Sequence, residues 1–309
     1  MDVKVGVPDL VSNSYFPAIA AVALGFFEKE GLDADIELIF PNFKAYEALR
    51  DDKVHFVAGP SHVMLSVFPE YRGAKLLSAL SQGMVWLLVM RSDIDVSPGD
   101  VHSVKGRTIG AAPMVELGLK RILAEAGIDL ERDSVKIDRV PGTLDPGVSF
   151  GVAAAQALAE GKIDGFWANA MGAENAIRSG IGRVILDVRR GVGPSSAFHY
   201  TMSALSTSDR LIDGNAALVG AGMRAVIATQ KALKADPGLA SIVGQKLFPK
   251  SEAAIIKDII ARDVPYYDPA ISVEAAAGMN QFARDVGLLS GSPRFEDMVA
   301  TQFSNLWSI

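Results

Sequence analysis

Residues 45–58, AYEALRDDKVHFVA, are echoed in register by residues 154–167, AAQALAEGKIDGFW, and this internal repeat decides the fold. Each copy has the pattern of a helix that ends at a turn and is followed by a short apolar strand. Small or polar residues come next, Gly59-Pro60-Ser61-His62 in the first copy and Ala168-Asn169-Ala170-Met171 in the second. Two units of this kind predict two lobes that face each other across a cleft.

The repeat extends upstream of both copies. A strand at 3–7, a helix at 15–30 and a strand at 36–40 precede the first copy. A strand at 108–111, a helix ending at 126 and a strand at 135–140 precede the second. Gly31 and Gly127 follow the two helices, and glycine just past a helix end supplies the left-handed residue that closes it. The pattern predicts an α/β fold of two β-α-β-α-β lobes with parallel strands and right-handed crossovers.

The chain has to pass between the lobes twice, and the pattern predicts crossings near residues 88–91 and 197–202. Lobe 1 is therefore predicted at 1–88 and 200–309, and lobe 2 at 89–199. From residue 209 onward the apolar spacing is helical, and we expect these helices to pack around lobe 1. They are predicted at about 213–235, 239–246, 252–262, 273–286 and 295–305.

Composition excludes several classes of protein. The chain has 309 residues, 49% of them hydrophobic and 21% charged, as in ordinary globular proteins. The net charge is −6 and no cluster of Lys and Arg interleaves with aromatics, which argues against binding to nucleic acid. The longest apolar runs, 16–27 and 84–90, are shorter than the roughly 20 residues that a membrane-spanning helix needs.

The chain contains no cysteine, which excludes disulfides, thiolate catalysis, iron–sulfur clusters and Cys-ligated zinc. The first residues run directly into a predicted strand, with no signal peptide in this sequence. We keep two locations open: periplasmic or otherwise extracytoplasmic, if a leader was removed, and cytoplasmic.

The familiar catalytic spacings are absent: there is no Gly-x-Ser-x-Gly elbow, no His-Glu-x-x-His helix and no phosphate-binding P-loop. The four histidines are scattered and no two have metal-ligand spacing. We therefore predict no catalytic residue, no metal site and no cofactor.

The remaining candidates lie in loops at the carboxyl ends of the predicted parallel strands, where ligands bind in such sheets. Ser, Asn and Pro are also good helix-start residues, so each has a purely structural alternative. Aromatic residues nearby would add flat apolar walls, with Trp167 the strongest candidate. The loop 141–143 also belongs to this set. The predicted ligand-binding residues are Ser12, Asn13, Ser14, Tyr15, Asn42, Phe43, Gly59, Ser61, His62, Pro113, Met114, Thr143, Trp167, Asn169, His199 and Tyr200.

Four segments resemble a known family. SNSYFP at 12–17, followed by GFFEKEGL at 25–32, resembles the opening of solute-binding proteins of the nitrate/sulfonate/taurine class of ABC importers. This class includes proteins similar to the binders of thiamine-pyrimidine precursors. ALAEGKID at 157–164 matches the class's Ala-Leu-x-x-Gly-Lys-Ile-Asp segment, and VKGRTIG at 104–110 resembles the start of its second lobe.

The resemblance implies a type II periplasmic-binding-protein fold that closes over a small molecule by a hinge motion about the two crossings. It also implies delivery of that molecule to an ABC permease. The loop residues suit a sulfonate-like, aromatic or heteroaromatic solute that is neutral or singly negative. We expect the protein to be a monomer.

Two alternatives stay open. The first is an enzyme on the same fold: aromatic sulfinate desulfinases share the Ser-Asn start but place a nucleophilic Cys where this chain has Ser14. Pyrimidine synthases of the yeast type carry a Cys-rich iron segment, which this chain lacks. Ser14 could act as a nucleophile only with a base such as His62. The second alternative is a cytosolic ligand sensor without a role in transport.

Overall fold

Two five-stranded sheets organise the protein, each in its own part of the chain. The structure, a computed structural model, describes residues 1–140, 143 and 148–308. The strands of the described residues are β1 (Asp2–Val7), β2 (Asp33–Leu38), β3 (Phe56–Pro60), β4 (Ala74–Ser81), β5 (Leu87–Arg91), β6 (Thr108–Ala111), β7 (Lys136–Asp138), β8 (Gly165–Ala168), β9 (Gly182–Leu186) and β10 (Ser203–Ser208).

The helices of the same residues carry the amphipathic patterns seen in the sequence. They are α1 (Phe16–Ala23), α2 (Phe26–Lys29), α3 (Asn42–Arg50), α4 (Glu116–Glu125), α5 (Phe150–Ala159), α6 (Ala170–Arg178), α7 (Asp209–Gly214), α8 (Ala216–Ala235), α9 (Leu239–Leu247), α10 (Lys250–Asp263), α11 (Val273–Asp285) and α12 (Phe295–Met298). Short 3₁₀ helices lie at Ser61–Ser66, Pro69–Tyr71, Val101–Val104, Val188–Arg190, Ser195–His199, Val264–Tyr266 and Thr301–Ser308.

Unit 1 consists of Met1–Gly83 and Thr201–Ile309. Its sheet has the order β2-β1-β3-β10-β4, with β1 parallel to β2 and β3, and β10 antiparallel to β3 and β4. All five residues of β3 are buried, as expected for a central strand that is covered on both faces. The helix α8 approaches this sheet closely, because a Cβ on Gly222 would lie 2.5 Å from the Phe56 ring.

Unit 2 consists of Met84–Tyr200. Its sheet has the order β7-β6-β8-β5-β9, with β6 parallel to β7 and β8, and β5 antiparallel to β8 and β9. The two sheets therefore have the same spatial order of strands, and the sequence repeat predicts the parallel part of that order. The α/β fold class with two β-α-β-α-β units is confirmed.

The structure adds two strands to the predicted parallel set of each sheet. Three neighbouring strands in each sheet are parallel, a fourth (β10 or β5) runs antiparallel to them, and the fifth (β4 or β9) pairs antiparallel with the fourth. In unit 1 the fourth strand, β10, comes from the returning segment of the chain, and β4 pairs along its other edge. The repeat describes only the β-α-β-α-β part and carries no information about these added strands.

Two further boundaries differ from the pattern. The helix predicted at 15–30 is divided into α1 and α2 at Gly25, which has a φ of 74° that other residues rarely adopt. The units divide after Gly83 and after Tyr200, so 84–88 and Tyr200 fall in unit 2. The boundary after Gly83 lies earlier than predicted because β5, which follows it, pairs with β8 and β9 of unit 2.

The last third of the chain is helical and belongs to unit 1, as the spacing predicts. No helix of the described residues has the length and apolar character of a membrane span.

Candidate functional site

The loop between β1 and α1 is buried although its residues are polar. Ser12, Asn13 and Ser14 expose 0%, 1% and 1% of their surface. The Ser12 hydroxyl accepts a hydrogen bond from the Ser14 amide at 3.1 Å, which closes a tight turn before α1. Tyr15 occupies the N-cap of α1, and its burial raises the pKa of its phenol well above the ordinary value.

Ser14 carries a hydroxyl without a hydrogen-bond partner among the described residues. A buried hydroxyl in this condition costs about 1–3 kcal/mol, and folded proteins satisfy most such groups. A bound molecule that hydrogen-bonds to Ser14 would recover this free energy.

Asn13 is tied to the far end of the chain. Its side-chain amide donates a hydrogen bond to Oδ2 of Asp263 at 2.6 Å. Asp263 is the last residue of α10 and is 1% exposed. The sequence interpretation did not include Asp263, although its spacing of three and seven from Ile260 and Ile256 places it on the apolar face of the helix. An acidic residue on such a face was the signal that could have identified it.

Asn42 and Phe43 begin α3, the next element after β2 along the chain. Asn42 is 4% exposed, and within the described ranges its Nδ2 atom has no hydrogen-bond partner. Phe43 is half-buried, with the ammonium of Lys44 at 5.5 Å from its ring centroid. Asn42 is thus a second buried donor at a helix start of unit 1.

Gly59 lies in β3, where the chain packs closely against α3. A Cβ on Gly59 would be 3.0 Å from the hydroxyl oxygen of Tyr46. The Tyr46 hydroxyl donates a hydrogen bond to the Pro60 carbonyl at 2.9 Å. In the structure, the role of Gly59 is to admit this tyrosine.

Ser61 and His62, each 1% exposed, follow β3 and meet Thr201. The Thr201 hydroxyl lies 3.0 Å from the Ser61 hydroxyl and 2.9 Å from Nδ1 of His62. Ser61 also donates to the sulfur of Met279 at 3.0 Å, and the His62 ring meets the Phe282 ring edge-on at 5.5 Å. The loop after β3 therefore contacts both Thr201, which precedes β10, and the helix α11.

Thr201, Met279 and Phe282 were not predicted as site residues. Thr201 directly follows the predicted Tyr200, so its position in the sequence was a usable signal. Met279 and Phe282 lie on the apolar face of α11, a pattern typical of any core helix, and nothing local distinguishes them.

In unit 2, Trp167 is 0% exposed. Its indole N–H donates a hydrogen bond to the Val115 carbonyl at 3.2 Å. Val115 follows Pro113, which is buried, and Met114, which is half-buried and has a φ of 69°. The predicted loop after β6 and the predicted Trp167 are thus brought together within unit 2.

Asn169 is the N-cap of α6. Its Oδ1 atom accepts hydrogen bonds from the amides of Met171 at 3.0 Å and Gly172 at 3.2 Å. Gly151 of α5 packs against it, since a Cβ there would lie 2.7 Å from Oδ1. Asn169 therefore stabilises the start of α6 in the way that asparagine commonly does at an N-cap.

Glu116 begins α4 and was not predicted. Its carboxyl lies 3.8 Å from the Lys120 ammonium, and its Oε2 atom is buried without a hydrogen-bond partner in the described part of the chain. Burial is the main cause that raises the pKa of this carboxyl above its ordinary 4.5.

Thr143, His199 and Tyr200 occupy other parts of unit 2. The Thr143 hydroxyl donates to the Val140 carbonyl at 2.7 Å; Pro141 and Gly142, which complete that predicted loop, lie outside the described residues. The Tyr200 hydroxyl donates a short hydrogen bond to Glu125, at the end of α4 opposite to Met114. Burial is the main cause that raises the pKa of the Tyr200 phenol to about 12, and the hydrogen bond to Glu125 is the second. His199 is half-buried with its ring 5.0 Å from that of Phe198.

The described residues contain few clustered acidic or histidine side chains. Among them, no group of three or more His, Cys, Asp or Glu side chains is placed to hold a metal ion.

Comparisons with known proteins agree with this architecture. The NMT1/THI5 like family model matches residues 12–240. No curated protein matches the chain in sequence.

Solved structures show the same fold at low sequence identity. A protein from Bordetella bronchiseptica RB50 is 20% identical with a TM-score of 0.74, over 97% of this chain and 93% of the other. The alkanesulfonate-binding protein SsuA from Xanthomonas axonopodis pv. citri, bound to MOPS, is 14% identical with a TM-score of 0.70, over 98% and 97%. A mutant of the enzyme DSZB in complex with biphenyl-2-sulfinic acid is 16% identical with a TM-score of 0.69, over 98% of both chains. The fold is that of the periplasmic binding proteins.

Proposed function

The chain belongs to the NMT1/THI5-like family, and on that premise we propose that it binds a small organic solute and delivers it to an ABC importer. The observation that carries the proposal is the Ser14 hydroxyl, which is 1% exposed and has no partner among the described residues. It lies at the carboxyl end of a parallel strand, where α/β sheets bind ligands.

The unit 1 face favours a solute with hydrogen-bond acceptors. Ser14 and Asn42 each offer a buried donor, and each lies at the start of a helix, where the backbone also favours negative charge. Tyr15 and Phe43 supply aromatic surface beside these donors. The solute class is sulfonate-like, aromatic or heteroaromatic, neutral or singly negative.

Binding is favoured over catalysis by the surroundings of Ser14. A serine nucleophile needs a base within hydrogen-bond reach. Among the described residues no group hydrogen-bonds to the Ser14 hydroxyl, and Nδ1 of His62 is instead 2.9 Å from Thr201. The enzyme DSZB shares the fold, and at 16% identity this likeness carries no activity over to the chain.

The first experiment is an intact-mass measurement of the gently desalted protein, which identifies a solute that purifies with it. Affinity for that solute is then measured in Ser14→Ala, with Ser78→Ala as the matched control. Ser78 is 0% exposed and its hydroxyl also lacks a partner in the described chain, but it lies inside β4.

We expect Ser14→Ala to lower the affinity by about 1–3 kcal/mol and Ser78→Ala to leave it unchanged, with no product formed by either protein. Equal affinities in the two variants would remove Ser14 from the site. Turnover of the solute that is lost in Ser14→Ala would establish the enzyme instead.

Delivery to an importer requires the protein to work outside the cytoplasmic membrane. Fractionation of the native cells tests this: recovery with the extracytoplasmic fraction supports transport. Recovery in the cytoplasm, with solute still bound, would favour a sensor.

A further inference from the structure

A cavity of about 560 Å³ lies in unit 1, apart from the loops described above. Three separate segments of the chain line it: residues within 70–75, which lead into β4, then Asp209, which follows β10, and residues within 292–297, around the start of α12. Its volume falls in the range of roughly 300–1,000 Å³ that is typical of small-molecule sites. The cavity is large enough for a ligand of its own.

This cavity and the polar loops of Ser14 and Ser61 lie at opposite ends of the sheet. Ser203, at the start of β10, pairs with Pro60 at the carboxyl end of β3, and β1 runs parallel to β3. Asp209 follows the other end of β10, whose six residues span about 20 Å. A small ligand in the cavity would therefore not touch Ser14 or Ser61.

Two carboxylates in the cavity wall are held by backbone amides. Oε1 of Glu70 accepts hydrogen bonds from the amides of Ser290 at 3.0 Å and Gly291 at 3.2 Å. Oδ2 of Asp209 accepts one from the Gly73 amide at 3.2 Å. The second oxygen of each carboxylate has no hydrogen-bond partner among the described residues. Each carboxylate is therefore fixed by the protein and can still accept from a ligand.

The two cations in the wall have unused donors. Lys75 uses one ammonium proton to donate to the Asp297 carbonyl at 2.7 Å, and two protons remain. Arg72 is exposed, and within the described part of the chain its guanidinium makes no hydrogen bond or ion pair. The carboxylate of Asp297, the third in the wall, is paired with Arg294 at 3.2 Å. The wall thus leaves both donors and acceptors available.

The backbone beside these groups is strained. Glu70 and Tyr71 have φ angles of 55° and 58°, in the left-handed region that residues other than glycine rarely adopt. The Tyr71 hydroxyl donates to Oδ1 of Asn280 at 2.9 Å, which holds this residue as the two amides hold Glu70. Strained residues persist where the surrounding structure fixes them, and they cluster at ligand sites. The strain agrees with a binding site at this cavity.

We propose that this cavity is a second binding site, which takes a small zwitterion such as a free amino acid with a polar side chain. The ligand carboxylate pairs with Arg72, whose planar guanidinium suits two parallel hydrogen bonds. The ligand ammonium donates to the open oxygens of Asp209 and Glu70. A simple anion would meet three carboxylates and a simple cation two cationic side chains, and like charges at close range repel. This site goes beyond the proposed solute binding and does not depend on it.

The test uses three probes that share one skeleton, on the full chain. L-Glutamine carries both charges, glutaramate lacks the ammonium group, and 4-aminobutanamide lacks the carboxylate. Saturation-transfer NMR titration measures the dissociation constant of each probe.

The variants are Arg72→Gln and Asp209→Asn. The exposed Arg139→Gln and Asp213→Asn are their controls, because each changes the net charge by the same amount outside the cavity. Asparagine at position 209 keeps an oxygen that can accept from the Gly73 amide, and Arg72 has no side-chain partner to lose. Both variants should therefore fold.

We expect glutamine to bind at least about tenfold more tightly than either probe with a single charge, because each of those leaves charged partners unpaired. Arg72→Gln and Asp209→Asn should each weaken glutamine binding by about tenfold, and the controls should keep it within about twofold.

Three results would overturn the proposal. The first is no saturable binding of glutamine, and the second is glutaramate or 4-aminobutanamide binding as tightly as glutamine. The third is an unchanged glutamine affinity in either Arg72→Gln or Asp209→Asn, which would place the probe elsewhere on the protein. None of these results involves Ser14, so the proposed solute binding stands or falls by its own variants.

Discussion

Nδ1 of His62 lies 2.9 Å from the Thr201 hydroxyl, although 139 positions separate the two residues. The sheet register explains the meeting. Ser203 of β10 pairs antiparallel with Pro60 of β3, so the residue that precedes β10 lies beside the residues that follow β3. The returning segment of the chain therefore completes the loop that the first segment begins.

Replacement of Thr201 by Val removes this shared hydroxyl and keeps the side-chain shape. Ser61 and His62 are both buried and would each lose a partner, so we expect the free energy of unfolding to fall by about 1–3 kcal/mol. Urea denaturation measures the change. The half-buried Thr301→Val is the control, with an expected change within about 0.5 kcal/mol. Equal effects would show that the Thr201 contacts contribute nothing specific.

Trp167 supports the core of unit 2 whether or not it also contacts a solute. Because its side chain is 0% exposed and bonds to Val115, Trp167→Ala should lower the free energy of unfolding by about 3–5 kcal/mol. Trp167→Phe keeps most of the apolar contacts and should fold, which allows its solute affinity to be measured.

The matched control for Trp167→Phe is Trp307→Phe in unit 1, where the indole donates to the Leu77 carbonyl at 3.0 Å. A loss of affinity in Trp167→Phe that Trp307→Phe lacks would support the predicted aromatic wall. Unchanged affinity in both would leave Trp167 a core residue only.

Glu116 should make stability depend on pH in a defined direction. The pKa of the Glu116 carboxyl is raised in the folded protein. Between the ordinary pKa and the raised one, the folded state therefore binds more protons than the unfolded state, and the free energy of unfolding falls as the pH rises through this interval. Glu116→Gln removes this loss. We expect the variant to be more stable than the natural protein at pH 7, with the difference shrinking as the pH falls through the raised pKa of Glu116 toward the ordinary value of 4.5 and largely gone below it. Melting curves across this range measure it, and a pH-independent difference would contradict the assignment.

Gly172 allows α6 to contact α5 backbone to backbone. A Cβ at this position would lie 2.5 Å from the Gly151 carbonyl oxygen, which cannot rotate away as a side chain could. Gly172→Ala should therefore lower the free energy of unfolding by about 1–3 kcal/mol.

Gly214→Ala is the control for this prediction, because nothing lies within 4 Å of a Cβ there. It should leave stability unchanged or raise it by up to about 1 kcal/mol. Chemical denaturation of both variants measures the difference, and equal stabilities would contradict the close approach of α5 and α6.

Much of the fold was predictable because it depends on local patterns. The repeat of a helix stop, a turn and an apolar strand predicted the β-α-β-α-β order in both units, and apolar spacing predicted the helices after residue 209. The division of the first helix at Gly25 was not predicted, because a single left-handed residue divides a helix without interrupting the apolar spacing.

Of the predicted site, the sequence could indicate the loops but not their partners. Strand ends can be read from the chain, so Ser14, Asn42 and Ser61 were predicted as polar residues at helix starts. Which hydroxyl or amide has a partner depends on atoms far away in the chain. Glu116 was missed because its burial is set by packing, not by its neighbours in sequence.

The sequence alone determined the two-unit α/β architecture, because periodicity and turn residues act over a few positions at a time. Tertiary structure alone decided that β10 lies between β3 and β4, that Thr201 meets His62, and that Asp263 orients Asn13. These relationships arise from packing between segments up to 250 positions apart. The physical reason is that hydrogen-bond partners are chosen by distance in space, and only the completed sheet and the helices on it set that distance.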